Sequence, residues 1–412
     1  MNYKISVDSQ QIDLEIPHNP VEIIKPKVVA IFDQEKLIRE SLHNPIDSPG
    51  LQTFLQDKMN ILIIVNDGSR NTPTQIVISV IYDKIKNKNF KFIVALGTHR
   101  QPTKIDFNRI FGKYYREFKD RIICHDSQND EMTYFGKTSY GTPVRINSEV
   151  TKADGVIIIS SVEPHYFAGF TGGRKSFLPG VAAFESIEKN HSLALRNDAK
   201  ILKLEGNPVH EDMREAAEMI TTETYCILTV LDTNDQVFFS TSGNIHSTLK
   251  AASKKVIELF APEVKEKADI VIAINQSPLN RNLYQSQKGL ENCKSILHEN
   301  GIFILVSSCD EGIGNNAFYE LMASSELPEM VFQKVERNYK LGYHKTVKFV
   351  SFMQKNKLWM VSEIENDVLE DIFIRNFSSL QEAVNEAIML KGKDAKVIII
   401  QNAGITVPQI TN

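Results

Sequence analysis

Residues 59–100, MNILIIVNDGSRNTPTQIVISVIYDKIKNKNFKFIVALGTHR, decide how this chain folds. Residues 59–65 (MNILIIV) are a short apolar run that reads as a buried strand. The polar loop 66–70 (NDGSR) follows, and residues 74–86 have the spacing of a helix. Residues 90–96 are a second strand, ending in Gly97-Thr98-His99-Arg100. Strand, polar loop, helix and strand in that order form a βαβ unit, which builds a parallel sheet covered by helices. Outward from there, residues 106–120 read as a helix, 122–124 as a short strand, 133–147 as a hairpin around a Ser-Tyr-Gly turn, and 155–160 (GVIIIS) as a third long strand. A second series begins after a charged helix at 247–267. It contains strands at 270–274, 302–306, 357–361 and 396–401, with helices at 282–298 and 381–391.

The expected class is therefore α/β: two α/β domains with mostly parallel sheets and a cleft between them. Residues 1–266 form the first domain and 267–401 the second, and the tail 402–412 is expected to pack back on the first. A length of 412 residues agrees with more than one core. Hydrophobic residues at 42% and charged residues at 24% are the balance of a globular protein, and a net charge of −4 gives no reason to expect nucleic acid. Cys124, Cys226, Cys293 and Cys309 make no CxxC pair and are read as free thiols in a reducing compartment. The first residues alternate like a strand and lack the pattern of a signal peptide. No apolar run approaches the roughly 20 residues that span a bilayer. The expectation is a cytoplasmic protein with neither a membrane nor a nucleic-acid partner.

In open α/β sheets ligands bind beyond the carboxyl ends of the strands. Four such ends carry polar chemistry here: Asn66 to Arg70, Gly97 to Arg100, Glu163-Pro164-His165, and Asn275 with Tyr284-Gln285-Ser286-Gln287-Lys288. The densest segment is residues 163–191, EPHYFAGFTGGRKSFLPGVAAFESIEKNH. Gly169, Gly172 and Gly173 would let backbone approach a bound group, and a helix is expected from about Ala182. The segment is close to a phosphate-binding P-loop, but Arg174 stands where that motif needs glycine, which excludes a nucleoside triphosphatase. No GxGxxG opens either half. His99, His165 and His191 all fall in or just after these loops; each suits a base or a metal ligand, and equally a hydrogen-bonded structural histidine. The residues by themselves support an α/β enzyme acting on a small anionic substrate.

The words EPHYFAGFTGGRKSFLPG followed by NHS closely resemble the signature segment of the lactate racemase family. NDGSRNTP, GTHR and LYQSQKG resemble three further blocks of that family in the same order. The resemblance implies nickel and a nickel-pincer nucleotide, a pyridinium-3-thioamide-5-thiocarboxylic acid mononucleotide made by separate cofactor-biosynthesis proteins. Carried over by motif, Lys175 would form the covalent link to the nucleotide and His191 would bind the nickel. Asp67, Gly172 and Arg174 would seat the cofactor or orient its neighbours. His99 and His165 would be the acid/base pair, Arg70, Gln285 and Lys288 would hold the substrate carboxylate, and Tyr284 and Trp359 would wall the substrate. Asn71 and Gln287 depart from the family blocks and suggest a substrate more polar than lactate.

The implied reaction is racemisation or epimerisation of a small 2-hydroxy acid. A histidine of pKa near 7 cannot remove the Cα proton of such an acid at a useful rate, because the resulting carbanion lies beside a carboxylate. Removing a hydride avoids that carbanion, and it requires one base for the hydroxyl proton on each side of the substrate. Two other readings are a 2-hydroxy acid dehydrogenase using free NAD, weakened by the missing glycine fingerprint, and a non-catalytic nickel-binding protein.

Overall fold

The run Ile61, Leu62, Ile63, Ile64 and Val65 is buried on both faces, as a central strand of a parallel sheet must be. In the computed structural model, which describes residues 1–7, 10–27, 29, 33–337 and 339–411, it forms the middle of the strand Asn60–Asn66. The chain divides into two compact units, one of Val28–Ile257 and the other of Met1–Lys27 with Glu258–Asn412.

In the Val28–Ile257 unit the sheet has six strands. Their order is Val237–Gly243, Thr224–Leu231, Gly155–Ser161, Asn60–Asn66, Asn89–Ala95 and Ile122–Cys124. All pairings are parallel except that of Val237–Gly243. From Asn60–Asn66 the chain moves first to one side, through Asn89–Ala95, and later to the other, through Gly155–Ser161. The order therefore reverses between Asn60–Asn66 and Gly155–Ser161, and the carboxyl ends at such a switch point are where a doubly wound sheet opens a binding crevice. The helix Thr74–Ile85 buries Val77, Ile78, Ile81 and Ile85, one stripe at helical spacing, against this sheet. The expected helix at 106–120 ends early. Lys104–Phe111 is helical, Gly112 has φ +53, and the rest breaks into the short turns Gly112–Tyr114, Tyr115–Phe118 and Lys119–Arg121. The hairpin is Met132–Lys137 with Pro143–Asn147.

In the other unit a second parallel sheet has the order Arg375–Phe377, Lys357–Val361, Leu297–Val306, Ala268–Ile274, Val397–Gln401 and Val21–Ile24. The last of these strands differs from the sequence reading, which placed residues 1–266 in one domain. Val21–Ile24 is hydrogen-bonded alongside Val397–Gln401, so the first residues of the chain belong with its last. Four residues carry too little periodicity for their edge position to be read from sequence. The tail also departs from expectation: Gln409–Ile410 pairs with Glu263–Val264 inside this same unit. The charged helix runs Ile245–Phe260 and stops before Pro262, which cannot continue it. The expected helix at 282–298 is shorter, Leu283–Cys293, because Leu297 already opens the next strand. Among the described residues no helix is long and apolar enough to cross a membrane.

Candidate active site

The loop after Asn60–Asn66 is organised by Asp67, which is 8% exposed. One carboxylate oxygen accepts from the Ser69 hydroxyl at 2.6 Å and the Ser69 backbone N–H at 3.3 Å. The other lies 2.6 Å from His99 Nδ1. Burial alone would raise the Asp67 pKa, but the bonds from His99 and Ser69 and the charge of Arg70 outweigh it, and the carboxyl is held below its ordinary value. An ionised carboxylate only accepts, so His99 Nδ1 carries the proton. Nε2 is then left as the atom that exchanges one. The sequence reading grouped Asp67 with the cofactor; in the structure it orients a histidine. It does not cap the following helix, whose N-cap position is Pro73. The segment after His99 is fixed by a capping box of Thr103 and Asp106, with Arg100 Nη1 2.7 Å from Asp106. The bond from Arg100 is the largest influence that holds the Asp106 carboxyl down to about 2.

Glu163, at the end of Gly155–Ser161, accepts from Arg70 Nη1 at 2.8 Å, with both side chains about one-quarter exposed. Its backbone N–H is bonded to the Thr171 hydroxyl, so the loop bearing Arg70 is tied to the loop bearing His165. No sequence signal links residues 93 positions apart, and Glu163 had no role in the sequence reading. Asn71 donates its amide to Asp235 at 2.9 Å.

His165 lies in a tight hairpin of Pro164–His165 and Gly169–Phe170. Its Nδ1 accepts from the Ala168 N–H at 3.3 Å, and its Nε2 is 2.9 Å from Lys175 Nζ. Phe167, 2% exposed, joins the group: His165 meets its ring edge-on at 4.5 Å, His191 at 5.1 Å, and Lys175 Nζ lies 5.7 Å from its centre. One aromatic side chain thus gathers three of the residues singled out from sequence. Phe167 itself stood unassigned within the YF pair. His191 occupies the last turn of Phe184–Ser192, which starts two residues beyond the expected Ala182. Burial, followed by the charges of Lys175 and His99, pushes its pKa down to about 3, so the ring is neutral at physiological pH.

The loop glycines are required by close packing inside the protein. A Cβ on Gly172, at φ +81, would lie 2.8 Å from Val162 Cγ2, and one on Gly169 would lie 2.0 Å from the Lys203 carbonyl oxygen. Both let the loop close on its own protein. Arg174 is likewise internal. It is 0% exposed and donates to the carbonyls of Ala168, Thr171 and Gly172. It therefore holds the shape of the loop that presents Lys175 and does not reach outward. No carboxylate pairs with it among the described residues, so the guanidinium leaves this loop with an uncompensated positive charge that an anionic ligand would balance.

In the other unit Tyr284, Gln285 and Lys288 stand on the first two turns of Leu283–Cys293, which Asn282 caps by accepting from the Gln285 N–H at 3.0 Å. Lys345 packs against this turn, with Nζ 3.0 Å from the Tyr284 carbonyl oxygen and 3.3 Å from the Tyr284 ring centre. Burial, then the charge of Lys288, holds the Lys345 amine well below its usual pKa. Gln287 is 2% exposed and donates to the Lys345 carbonyl at 2.7 Å. Asn71 and Gln287 are thus both engaged in internal hydrogen bonds, which removes the argument from them for a more polar substrate. Trp359, the other expected substrate-wall aromatic, lies in the second unit too. It is 4% exposed, packs on Phe377, and belongs to the apolar cluster on one face of its sheet, whereas Tyr284 packs on the cluster of the opposite face. It packs as a core aromatic of this sheet.

Among the described residues no group of three or more His, Cys, Asp or Glu side chains is placed to hold a metal ion. A neutral imidazole, a nearby lysine amine and a positively charged loop suit an anionic, lysine-linked metal chelate.

Comparison with known proteins matches both ends of the chain to one family. A family domain described as "Lactate racemase N-terminal domain" matches residues 7–202, and one described as "Lactate racemase C-terminal domain" matches residues 264–408. A lactate racemase of Thermoanaerobacterium thermosaccharolyticum is 30% identical over 423 aligned positions, 98% of each chain. A lactate racemase of Lactiplantibacillus plantarum is 29% identical, over 90% of this chain and 89% of that one. Among solved structures, the lactate racemase apoprotein of T. thermosaccharolyticum superposes with a TM-score of 0.92 at 27% identity, covering 99% of this chain and 100% of that one. A protein of Thermotoga maritima, 16% identical with a TM-score of 0.71, shares the fold.

Proposed function

The chain belongs to the lactate racemase family and is an isomerase of the racemase class, and on that premise we propose that it inverts the Cα centre of lactate or a close 2-hydroxy acid in the cytoplasm. The cofactor in this reading is a nickel-pincer nucleotide supplied by dedicated biosynthesis proteins, joined to Lys175 and ligated through its nickel by His191. When bound, it supplies a reversible hydride acceptor.

The protein's share is proton handling and orientation. His99, its Nδ1–H held by Asp67, offers Nε2 to the substrate hydroxyl. His165 offers a second imidazole for the opposite face. In the unmodified chain its Nε2 is engaged with Lys175 Nζ, and forming the thioamide link would replace that amine by an uncharged N–H. Arg70 binds the substrate carboxylate, its free nitrogens oriented by Glu163 through Nη1. In the other unit, the family resemblance gives Gln285 and Lys288 a carboxylate-binding role. Tyr284, its backbone held by Lys345, sets where they stand. Retaining the planar keto acid between the two half-reactions is what turns oxidation and reduction into racemisation.

The observation that carries this reading is the meeting of His165, Lys175 and His191 around Phe167, with an Asp67–His99 pair in the same unit. Its test is the protein produced together with the cofactor-building enzymes, examined by intact mass, nickel content and chiral turnover of lactate. An adduct with about one nickel per chain, absent from Lys175→Ala, accompanied by racemisation, is expected. An unmodified mass, obtained while a known family member is loaded in parallel, contradicts it.

A further inference from the structure

We propose that Asp212, on the helix Pro208–Glu218, is a positioning residue that sets the place of His191 by latching the helix Phe184–Ser192 through Asn190. The inference rests on the reading of His191 as the metal ligand and extends it to the groups that hold that ligand still.

Asp212 is 0% exposed. Its Oδ2 accepts from Asn190 Nδ2 at 2.7 Å and from the Thr142 hydroxyl at 2.8 Å, and its Oδ1 accepts from the Thr138 hydroxyl. Asn190 is also 0% exposed, and its Nδ2 makes a second contact to the Val209 carbonyl at 3.3 Å. One amide therefore ties the helix of His191 to two points three residues apart on the Pro208–Glu218 helix. The hairpin turn closes the other side: Thr138 also accepts from the Thr142 backbone N–H at 3.1 Å. Ser139, in the same turn, bonds to Glu215 one helical turn from Asp212. Three elements thus converge on one buried carboxylate, and among the described residues no cation pairs with it.

A leucine would pack three elements at less expense, because an ion removed from water must be compensated by its hydrogen bonds. A carboxylate with three directed donors, by contrast, fixes the rotation of each element that supplies one. For the helix of Asn190 that rotation matters at the adjacent residue. A ring nitrogen about 6 Å from a helix axis moves about 1 Å for a rotation of about 10°. Metal–ligand distances tolerate only about 0.2 Å. Phe167 touches the His191 ring, but an edge contact between rings permits sliding that a pair of hydrogen bonds does not. None of the latch's hydrogen bonds is made to Lys175, so its loss is expected to affect metal retention more than cofactor attachment.

The test uses holoprotein made beside the cofactor-building enzymes. Adduct per chain is read by intact mass, and nickel per adduct is followed during incubation with EDTA. Asn190→Ala and Asp212→Leu are expected to keep the adduct and to lose nickel about tenfold faster than wild type, the lower end of what outer partners of metal ligands control. Ser139→Ala, which removes one of the two bonds tying the same hairpin to the same helix through Glu215, is expected to retain nickel within about twofold of wild type. If Asp212→Leu does not fold, Asn190→Gln, which keeps the amide and displaces it by one methylene, takes its place. Nickel retention equal to wild type in the Asn190 and Asp212 variants, while His191→Ala loses nickel, overturns the latch. So does equally fast loss from Ser139→Ala, which would mark general loosening. Nickel retained by His191→Ala refutes the ligand assignment itself, and the latch with it.

Discussion

Replacing Asp67 by asparagine changes one oxygen to an amide nitrogen, and the structure fixes which way the amide must lie. Oδ1 of Asp67 receives two donors from Ser69, one of them a backbone N–H that cannot reverse its role. The asparagine oxygen must therefore face Ser69, and its NH2 must face His99 Nδ1, at present 2.6 Å from the second carboxylate oxygen. Nδ1 becomes the acceptor and the imidazole proton moves to Nε2, the atom assigned to take the substrate's hydroxyl proton. The residue keeps its shape while the base is held in the wrong tautomer. Loss of a general base amounts to about 10²- to 10⁴-fold, or roughly 3 to 5.5 kcal/mol in the barrier. The expected result for Asp67→Asn is a fall in kcat of that size with KM within about threefold. The assay is the initial rate of lactate inversion from each enantiomer, read by chiral chromatography from pH 5 to 9. Because the equilibrium constant of a racemisation is one, kcat/KM must fall equally from both sides. Activity within a few-fold of wild type, or a change confined to KM, would refute the tautomer argument.

Arg174→Met removes a buried guanidinium that bonds three loop carbonyls and is expected to destabilise the Val28–Ile257 unit by about 3 kcal/mol or more, with loss of the Lys175 adduct; an unchanged thermal melt and full adduct would show that the loop holds itself. Trp359→Phe is expected to lower stability by about 1 to 2 kcal/mol and leave kcat/KM within about twofold, whereas a selective rise in KM would place this residue in the substrate wall. Asp106 has a folded-state pKa depressed to about 2, so its stabilisation is present above its unfolded value near 4 and is lost as pH falls through about 2. Asp106→Asn should therefore cost roughly 1 to 2 kcal/mol in urea melts at pH 7, discounted for its partial exposure, and almost nothing at pH 2; an equal cost at both would place the effect elsewhere than the charge.

The central strands were readable because parallel sheets bury both faces, and runs such as Ile61 to Val65 have no other use in a chain of this composition. The polar loops after them followed from the direction of the strands alone. What stayed hidden depended on partners far apart in sequence. Val21–Ile24 became a strand only because Val397–Gln401 has an open edge, and Thr224–Leu231 gained its place from Gly155–Ser161. At the site, the residue types His99, His165, Lys175 and His191 stood out by position, but the pairings that give them chemistry did not. Asp67 with His99 spans 32 positions and Arg70 with Glu163 spans 93. The glycines of the segment 163–191 suggested an approach to a ligand, and packing on Lys203 and Val162 explains Gly169 and Gly172. For Trp359 the sequence did not show which face of its sheet the ring occupies, because in a strand one position decides that.

The central claim is that the Cα hydrogen leaves and returns as a hydride held by the enzyme, while histidines handle only the hydroxyl proton. The measurement that tests it most directly is inversion of L-lactate by cofactor-loaded protein in D2O, with the deuterium content at Cα of the D-lactate product read by mass spectrometry and proton NMR. Hydride transfer predicts product that retains its Cα protium through many turnovers, since that hydrogen never meets a histidine in exchange with solvent. Deuterium at Cα in proportion to turnover would contradict it and would mean that an acid/base group removes the Cα hydrogen as a proton.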